Sequence, residues 1–191
     1  TLRVPLEGSE LSCGTGIAIV NPGNASSHTM MNLRIERSVA MNVAEFLTKK
    51  GVEFDELPHA DTYDAQHLAQ ELHVSGREVA KTVLLRTERG DFALVVLPAS
   101  RDVDFKKAAE ALGEGVALAT EFDISQSFPD CEIGAVPPFG VEYGLQTIVD
   151  VSLAEDEQIV FEGNTHHEAF RIGFEDYRNL EQPLVVDIVA D

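Results

Sequence analysis

A mixed α+β fold, with one strongly curved sheet and helices packed around it, follows from three features of the sequence. Helical and extended patterns alternate beyond residue 40, and several strand candidates stand at hairpin spacing, which a purely parallel doubly wound sheet would lack. The 191 residues suffice for one continuous core. Apolar residues make up 44% and charged residues 25% of the chain, the balance of a globular protein rather than a disordered or fibrous one.

Residues 1–40 carry no hydrophobic period, and the run from Asn21 to Ser27 is rich in turn formers. They are read as an N-terminal extension, flexible or loosely docked, with the domain proper over 41–191. Asn42 followed by Glu45 predicts a capped helix that turns Val43, Phe46 and Leu47 inward and stops at Gly51. Val52 to Leu57 reads as extended and Asp64 to Leu72 as helical. Val79 to Arg86 and Phe92 to Leu97 form a hairpin about Glu88-Arg89-Gly90-Asp91. Asp104 caps a helix to Leu112, Val116 to Ala119 is a short strand, and Thr120 with Asp123 opens another helix. Strands follow at Leu145 to Val149, Gln158 to Glu162 and Glu168 to Ile172, then a helical turn over Phe174 to Leu180 and an apolar run over Leu184 to Val189.

Fourteen basic residues against 33 acidic ones give a net charge of −19, which repels nucleic acid and anionic membranes unless the charge is unevenly placed. Residues 77–107 hold seven basic side chains against five acidic ones, whereas beyond 107 Arg171 and Arg178 stand against 18 carboxylates. Any polyanion contact therefore belongs to the middle of the chain; the alternative is that the charge serves solubility. No stretch approaches the length of a membrane span, and a cytoplasmic protein is expected. Cys13 and Cys131 are too few for a disulfide framework and are read as reduced thiols.

Lys81 lies in the apolar strand Val79 to Leu85. Its ammonium needs an anion or water there, either as a functional cation or as a lysine whose head reaches solvent from an edge. Gly134-Ala135-Val136-Pro137-Pro138 is a loop stiffened by two prolines, whose amides at 134–136 can cradle a carbonyl or oxyanion or can simply belong to a structural turn. In the turn Gly163-Asn164-Thr165-His166-His167, pairing from residue 166 would put His166 on the face of Phe170 and Ile172, making it the inward histidine, functional or hydrogen-bonded for structure. The histidines, His59 included, lack metal-ligand spacing, so no metal is expected. No nucleophile elbow, Walker loop or dinucleotide fingerprint occurs, and no cofactor is called for.

In order along the chain, His59, the stretch Val74-Ser75-Gly76-Arg77-Glu78-Val79-Ala80-Lys81-Thr82-Val83, Leu97-Pro98-Ala99-Ser100 with Asp104-Phe105-Lys106-Lys107, the Gly-x-x-x-Pro loop Gly134 to Pro138, and Gly163-Asn164-Thr165-His166 resemble the YbaK-type family. That family comprises freestanding aminoacyl-tRNA deacylases and the editing insertion of bacterial prolyl-tRNA synthetases. The likeness spans roughly residues 41–182 and implies the fold of that family. It further implies hydrolysis of the ester between a small mischarged amino acid and the terminal adenosine of tRNA, with the adjacent ribose hydroxyl sharing the proton work. Lys81, His166 and Gly134 would then carry the catalysis, and Thr82, Ala135, Val136, Pro137, Pro138, Gly163, Asn164 and His59 would bind substrate. Lys81 would face the amides of the 134–138 loop across a hollow that takes the acyl-adenosine end. The acceptor end of an aminoacyl-tRNA and a synthetase are the implied partners. A non-catalytic tRNA- or synthetase-binding module of the same fold is the alternative, and a hydrolase of small acyl esters or amides a third.

Overall fold

The computed structural model describes residues 41–59 and 65–190; the expected N-terminal extension, residues 1–40, and Asp64 lie outside them. Local signals place the helices. In α1 (Val43–Lys50) the Asn42 side chain accepts from the Glu45 amide at 2.9 Å and Gly51 ends the helix at φ 73°. Helix α2 spans Ala65–Glu71. In α3 (Phe105–Leu112) the Asp104 carboxylate accepts from the Lys106 and Lys107 amides. In α4 (Glu121–Ser127) Thr120 and Asp123 form a reciprocal capping box. The expected turn near residue 174 is a full helix, α5 (Phe174–Glu181).

The strands are β1 (Phe54–Pro58), β2 (Ala80–Thr87), β3 (Phe92–Pro98), β4 (Val116–Leu118), β5 (Gln146–Asp150), β6 (Gln158–Glu162), β7 (Glu168–Gly173) and β8 (Leu184–Val186). The mixed α+β class holds, with its strands divided between two sheets. One has the order β4-β2-β3-β5-β8, parallel at β3–β5 and β5–β8; the other, β1-β7-β6, is antiparallel. They meet at one parallel bridge between Val79 and Val160, where the Val160 amide donates to the Glu78 carbonyl at 2.9 Å. The curved sheet expected from the sequence is thus interrupted at that seam.

Alternation along β2 sends its residues into two cores. Ala80 and Leu84 join a cluster built on Phe139, Phe161, Phe170 and Tyr177, while Val83 and Leu85 join Leu97, Ile148 and Ala108 of α3. Phe139 is fully buried, with the rings of Phe46, Phe161 and Tyr177 at 5.0, 5.5 and 5.8 Å. A phenylalanine so placed contributes about 2–3 kcal/mol by burial alone, so the loop ending at Pro138 is anchored in the core. Among the described residues no helix is long and apolar enough to cross a membrane.

Candidate functional site

The loop Gly134 to Pro138 is held at several points. Phe139 fixes its exit, Ala135, Pro137 and Pro138 are buried, and the Thr82 hydroxyl of β2 donates to the Val136 carbonyl at 2.7 Å. Only Gly134, exposed, and Val136, half-buried, are open to solvent, so the two buried prolines shape the loop from beneath. Gly134 has φ +100°, which favours glycine, and a Cβ there would stand 3.3 Å from Cε1 of His166, a tight contact that the imidazole would have to yield to. Of the three amides expected to be available, that of Ala135 is committed to the Glu132 carbonyl at 3.0 Å. The Gly134 and Val136 amides have no protein acceptor among the described residues, which leaves two donors, one on either side of Ala135.

The turn from Gly163 to His167 closes the β6–β7 hairpin, with the Gly163 amide donating to the Glu168 carbonyl at 2.9 Å. Strand β7 starts at Glu168, so alternation does not govern His166, which belongs to the turn. Hydrogen bonds place it instead. Its amide donates to Glu132 Oε2 at 2.9 Å, ring Nδ1 lies 3.2 Å from Glu162 Oε1, and Nε2 lies 3.0 Å from the Ile133 carbonyl. Burial of the ring favours the neutral form, but the Ile133 carbonyl and the Glu162 carboxylate, with Glu132 nearby, outweigh it and raise the His166 pKa above the ordinary value. With an acceptor against each nitrogen, the imidazolium satisfies both. His167 is exposed.

Three residues expected to bind substrate have structural duties. Asn164 is buried; its Oδ1 accepts from the Val43 amide at 3.2 Å and its Nδ2 donates to Cys131 Sγ at 3.3 Å, so it ties the turn to the start of α1. Gly163 is required by space, because a Cβ would come within 2.7 Å of the Phe170 ring and 2.9 Å of Glu168. The His59 amide donates to the His167 carbonyl at 3.3 Å, extending the β1–β7 ladder to this turn.

Lys81 departs from expectation in direction. It neighbours Thr82 on β2, and successive strand residues face opposite ways. Thr82 holds the loop; Lys81, paired across from Leu97, leaves on the other face, where Nζ lies 3.2 Å from Asp102 Oδ1. Its side chain is 23% exposed and that of Asp102 is 91% exposed. A pair this exposed is worth about 1 kcal/mol or less. The structure therefore gathers Thr82, Gly134, Val136 and His166, and sets Lys81 across the strand from them. Both residues nevertheless belong to one stretch of β2 whose backbone is unpaired on one side. Strand β4 pairs with β2 only over Leu85 to Thr87, the Ala119 amide adds a bond to Leu84, and the backbone of β6 bonds to this stretch only at the Val79 bridge, through the Glu78 carbonyl, although its side chains pack on Ala80 and Leu84. Between Ala80 and Val83 that edge of β2 is unpaired among the described residues, with Thr82 and Lys81 on its two faces. Glu162, the Ile133 carbonyl and Asp102 are not apparent from the sequence; only the carboxylate of Glu162, four residues before His166, gives a local hint.

The sequence model of a family described as the aminoacyl-tRNA editing domain matches residues 59–180. No curated protein matches the chain. Among solved structures, a hypothetical protein, APE2540, is 21% identical with a TM-score of 0.72, the match covering 78% of this chain and 99% of that one. A protein proposed to be a trans-editing enzyme for prolyl tRNA synthetase is 24% identical with a TM-score of 0.68, covering 83% and 98%. One from Marinobacter aquaeolei VT8, proposed to act in signal transduction, is 16% identical with a TM-score of 0.60, covering 78% of this chain but 30% of its own. Identities this low speak for a shared fold.

Proposed function

The chain belongs to the aminoacyl-tRNA editing domain family, and from that premise we propose that it is a freestanding deacylase that hydrolyses the ester joining a small mischarged amino acid, such as alanine, cysteine or serine, to the terminal adenosine of tRNA. The observation that carries this reading is the pair of available amides, Gly134 and Val136, on a loop anchored by Phe139 and Thr82 beside the unpaired edge of β2. Hydrolysis of an activated ester needs a positioned water and preorganised donors where the oxyanion forms, and a protein nucleophile is dispensable. Water adds to the ester carbonyl, whose oxygen takes the two amides. The bond to the ribose oxygen then breaks as one proton of the water reaches that oxygen by way of the adjacent ribose hydroxyl, and the amino acid leaves as its carboxylate with the other proton released to solvent.

In this reading His166 is a positioning residue: as a cation it fastens the Ile133 carbonyl to the hairpin turn and so fixes the conformation of Gly134. Lys81 holds a phosphate of the tRNA end from the other face of β2, while Thr82 keeps Val136 in place. A structural neighbour proposed to trans-edit for prolyl tRNA synthetase supports a mischarged tRNA as substrate. With a net charge of −19, unaided capture of tRNA is weak, which favours delivery by a synthetase.

The test is a deacylation panel: tRNAs charged with each small amino acid, together with simple amino acid esters, offered to the wild type and Lys81→Ala. Selective release from one or a few mischarged tRNAs, reduced by about 10²-fold or more in Lys81→Ala, is expected. Binding of tRNA without turnover by the wild type would make it a binding module, and equal turnover of simple esters would remove tRNA from the account.

A further inference from the structure

The deacylase reading gives Lys81 a phosphate to hold, yet its ammonium already has an anion. Among the described residues its ion pair is with Asp102, at 3.2 Å. Two paired segments set the position of Asp102. The Ala190 amide donates to the Asp102 carbonyl at 2.9 Å, Val103 bridges Val189 antiparallel, the Asp104 amide donates to the Ile188 carbonyl at 2.8 Å, and Arg101 Nη2 donates to the Ala190 carbonyl at 2.6 Å. The backbone beneath the carboxylate is therefore fixed, while the carboxylate itself is 91% exposed and can swing away by side-chain rotation alone. Solvent screens such a pair, so a phosphodiester can replace it at small cost.

Resting on the reading above, we propose that Asp102 is a built-in competitor anion: it occupies the Lys81 ammonium in the free protein and is displaced by a phosphate of the single-stranded tRNA end, thereby setting how tightly that end is held. The same arrangement guards the cation against unspecific polyanions, since only a strand end that also contacts the unpaired backbone beside Thr82 gains enough to displace the carboxylate.

The experiment measures binding of uncharged tRNA to the full chain at several salt concentrations, in parallel with deacylation of mischarged tRNA. Proteins compared are the wild type, Asp102→Asn, Lys81→Ala, the double variant, and Glu175→Gln, which removes one exposed carboxylate elsewhere. Asp102→Asn is expected to tighten binding about threefold to tenfold with a steeper salt dependence. Glu175→Gln should change binding by less than twofold. The gain from Asp102→Asn should vanish in the Lys81→Ala background, because the two groups act as a unit. A gain that persists without Lys81, or that Glu175→Gln reproduces, overturns the proposal in favour of a general charge effect. Weaker binding by Asp102→Asn overturns it too, making Asp102 an orienting partner of the lysine. Should tRNA bind in the expected pattern with no deacylation by any variant, the catalytic reading falls and the competitor anion stands. Absence of both tRNA binding and deacylation in the wild type and Asp102→Asn removes both readings, and deacylation with no difference in binding between the two overturns the competitor anion alone.

Discussion

At the scale of single residues, Gly134 and His166 act as one unit, and each makes a separate prediction. Gly134→Ala forces a side chain into φ +100° and against the imidazole at 3.3 Å; we expect a stability loss of about 1–2 kcal/mol in urea unfolding and a fall in deacylation of about 10²-fold, in kcat more than in KM. For His166 the sign follows from its raised pKa. The stabilisation from its charged form is complete below the ordinary histidine value of 6.5 and is lost as pH rises through the elevated folded value. Activity of the wild type should therefore fall on the alkaline side as the loop loosens. His166→Gln, which retains a donor, should preserve more activity than His166→Phe and lack that alkaline limb; an unchanged alkaline limb in His166→Gln would exclude the clamp. Gly134 and the histidine are both legible in the sequence because glycine and histidine in a polar turn are local signals. Their mutual contact is not, since 32 positions separate Gly134 from His166 and only the folded hairpin brings them together. The direction of Lys81 is not legible for a related reason: alternation fixes which neighbours share a face, but which face receives the 134–138 loop depends on Thr82 bonding to a residue 54 positions away.

At the scale of elements, capping chemistry made the helices readable. Asn42, Asp104 and Thr120 all cap as their spacing implies, and each interaction spans three residues or fewer. The start of β7 at Glu168 is legible, but the division into two sheets is not, because it is decided by partners far along the chain, such as Val79 with Val160. Asn164 shows how an element can be disguised as a site. Its side chain joins the β6–β7 turn to the first turn of α1, 121 positions apart, so Asn164→Ala leaves a buried amide at Val43 without its acceptor. A loss of about 1–3 kcal/mol is expected, visible as a lower urea midpoint. The residual activity of the folded fraction should stay within a few-fold of the wild type, whereas a ligand-contacting asparagine would raise KM by far more.

At the scale of the whole molecule, charge and burial set the response to pH. Glu181 is 5% exposed on α5, and burial lifts its pKa to about 7 even though its carboxylate accepts from the Val141 amide at 3.0 Å. Its folded value exceeds its unfolded one, so its stabilisation is complete below about 4.5 and lost as pH rises through about 7. Asp104 and Asp123, held below the ordinary carboxylate value chiefly by the Lys107 amide and the Thr120 hydroxyl respectively, act oppositely, stabilising above 3.8 and losing effect as pH falls. The molecule should be most stable in mildly acidic solution. A Tm series from pH 4 to 9 should fall on the alkaline side by the equivalent of a few kcal/mol at most, and Glu181→Gln should flatten that limb; a limb as steep in the variant would assign it elsewhere. The knot that closes on the Asn164 side chain also continues upstream, for the Met41 amide donates to Asp130, whose other partner is the Tyr143 hydroxyl. Asp130 and Cys131 thus tie the approach to α1, the β6–β7 turn and Tyr143 into one joint, so a substitution at any one of them is transmitted to the others.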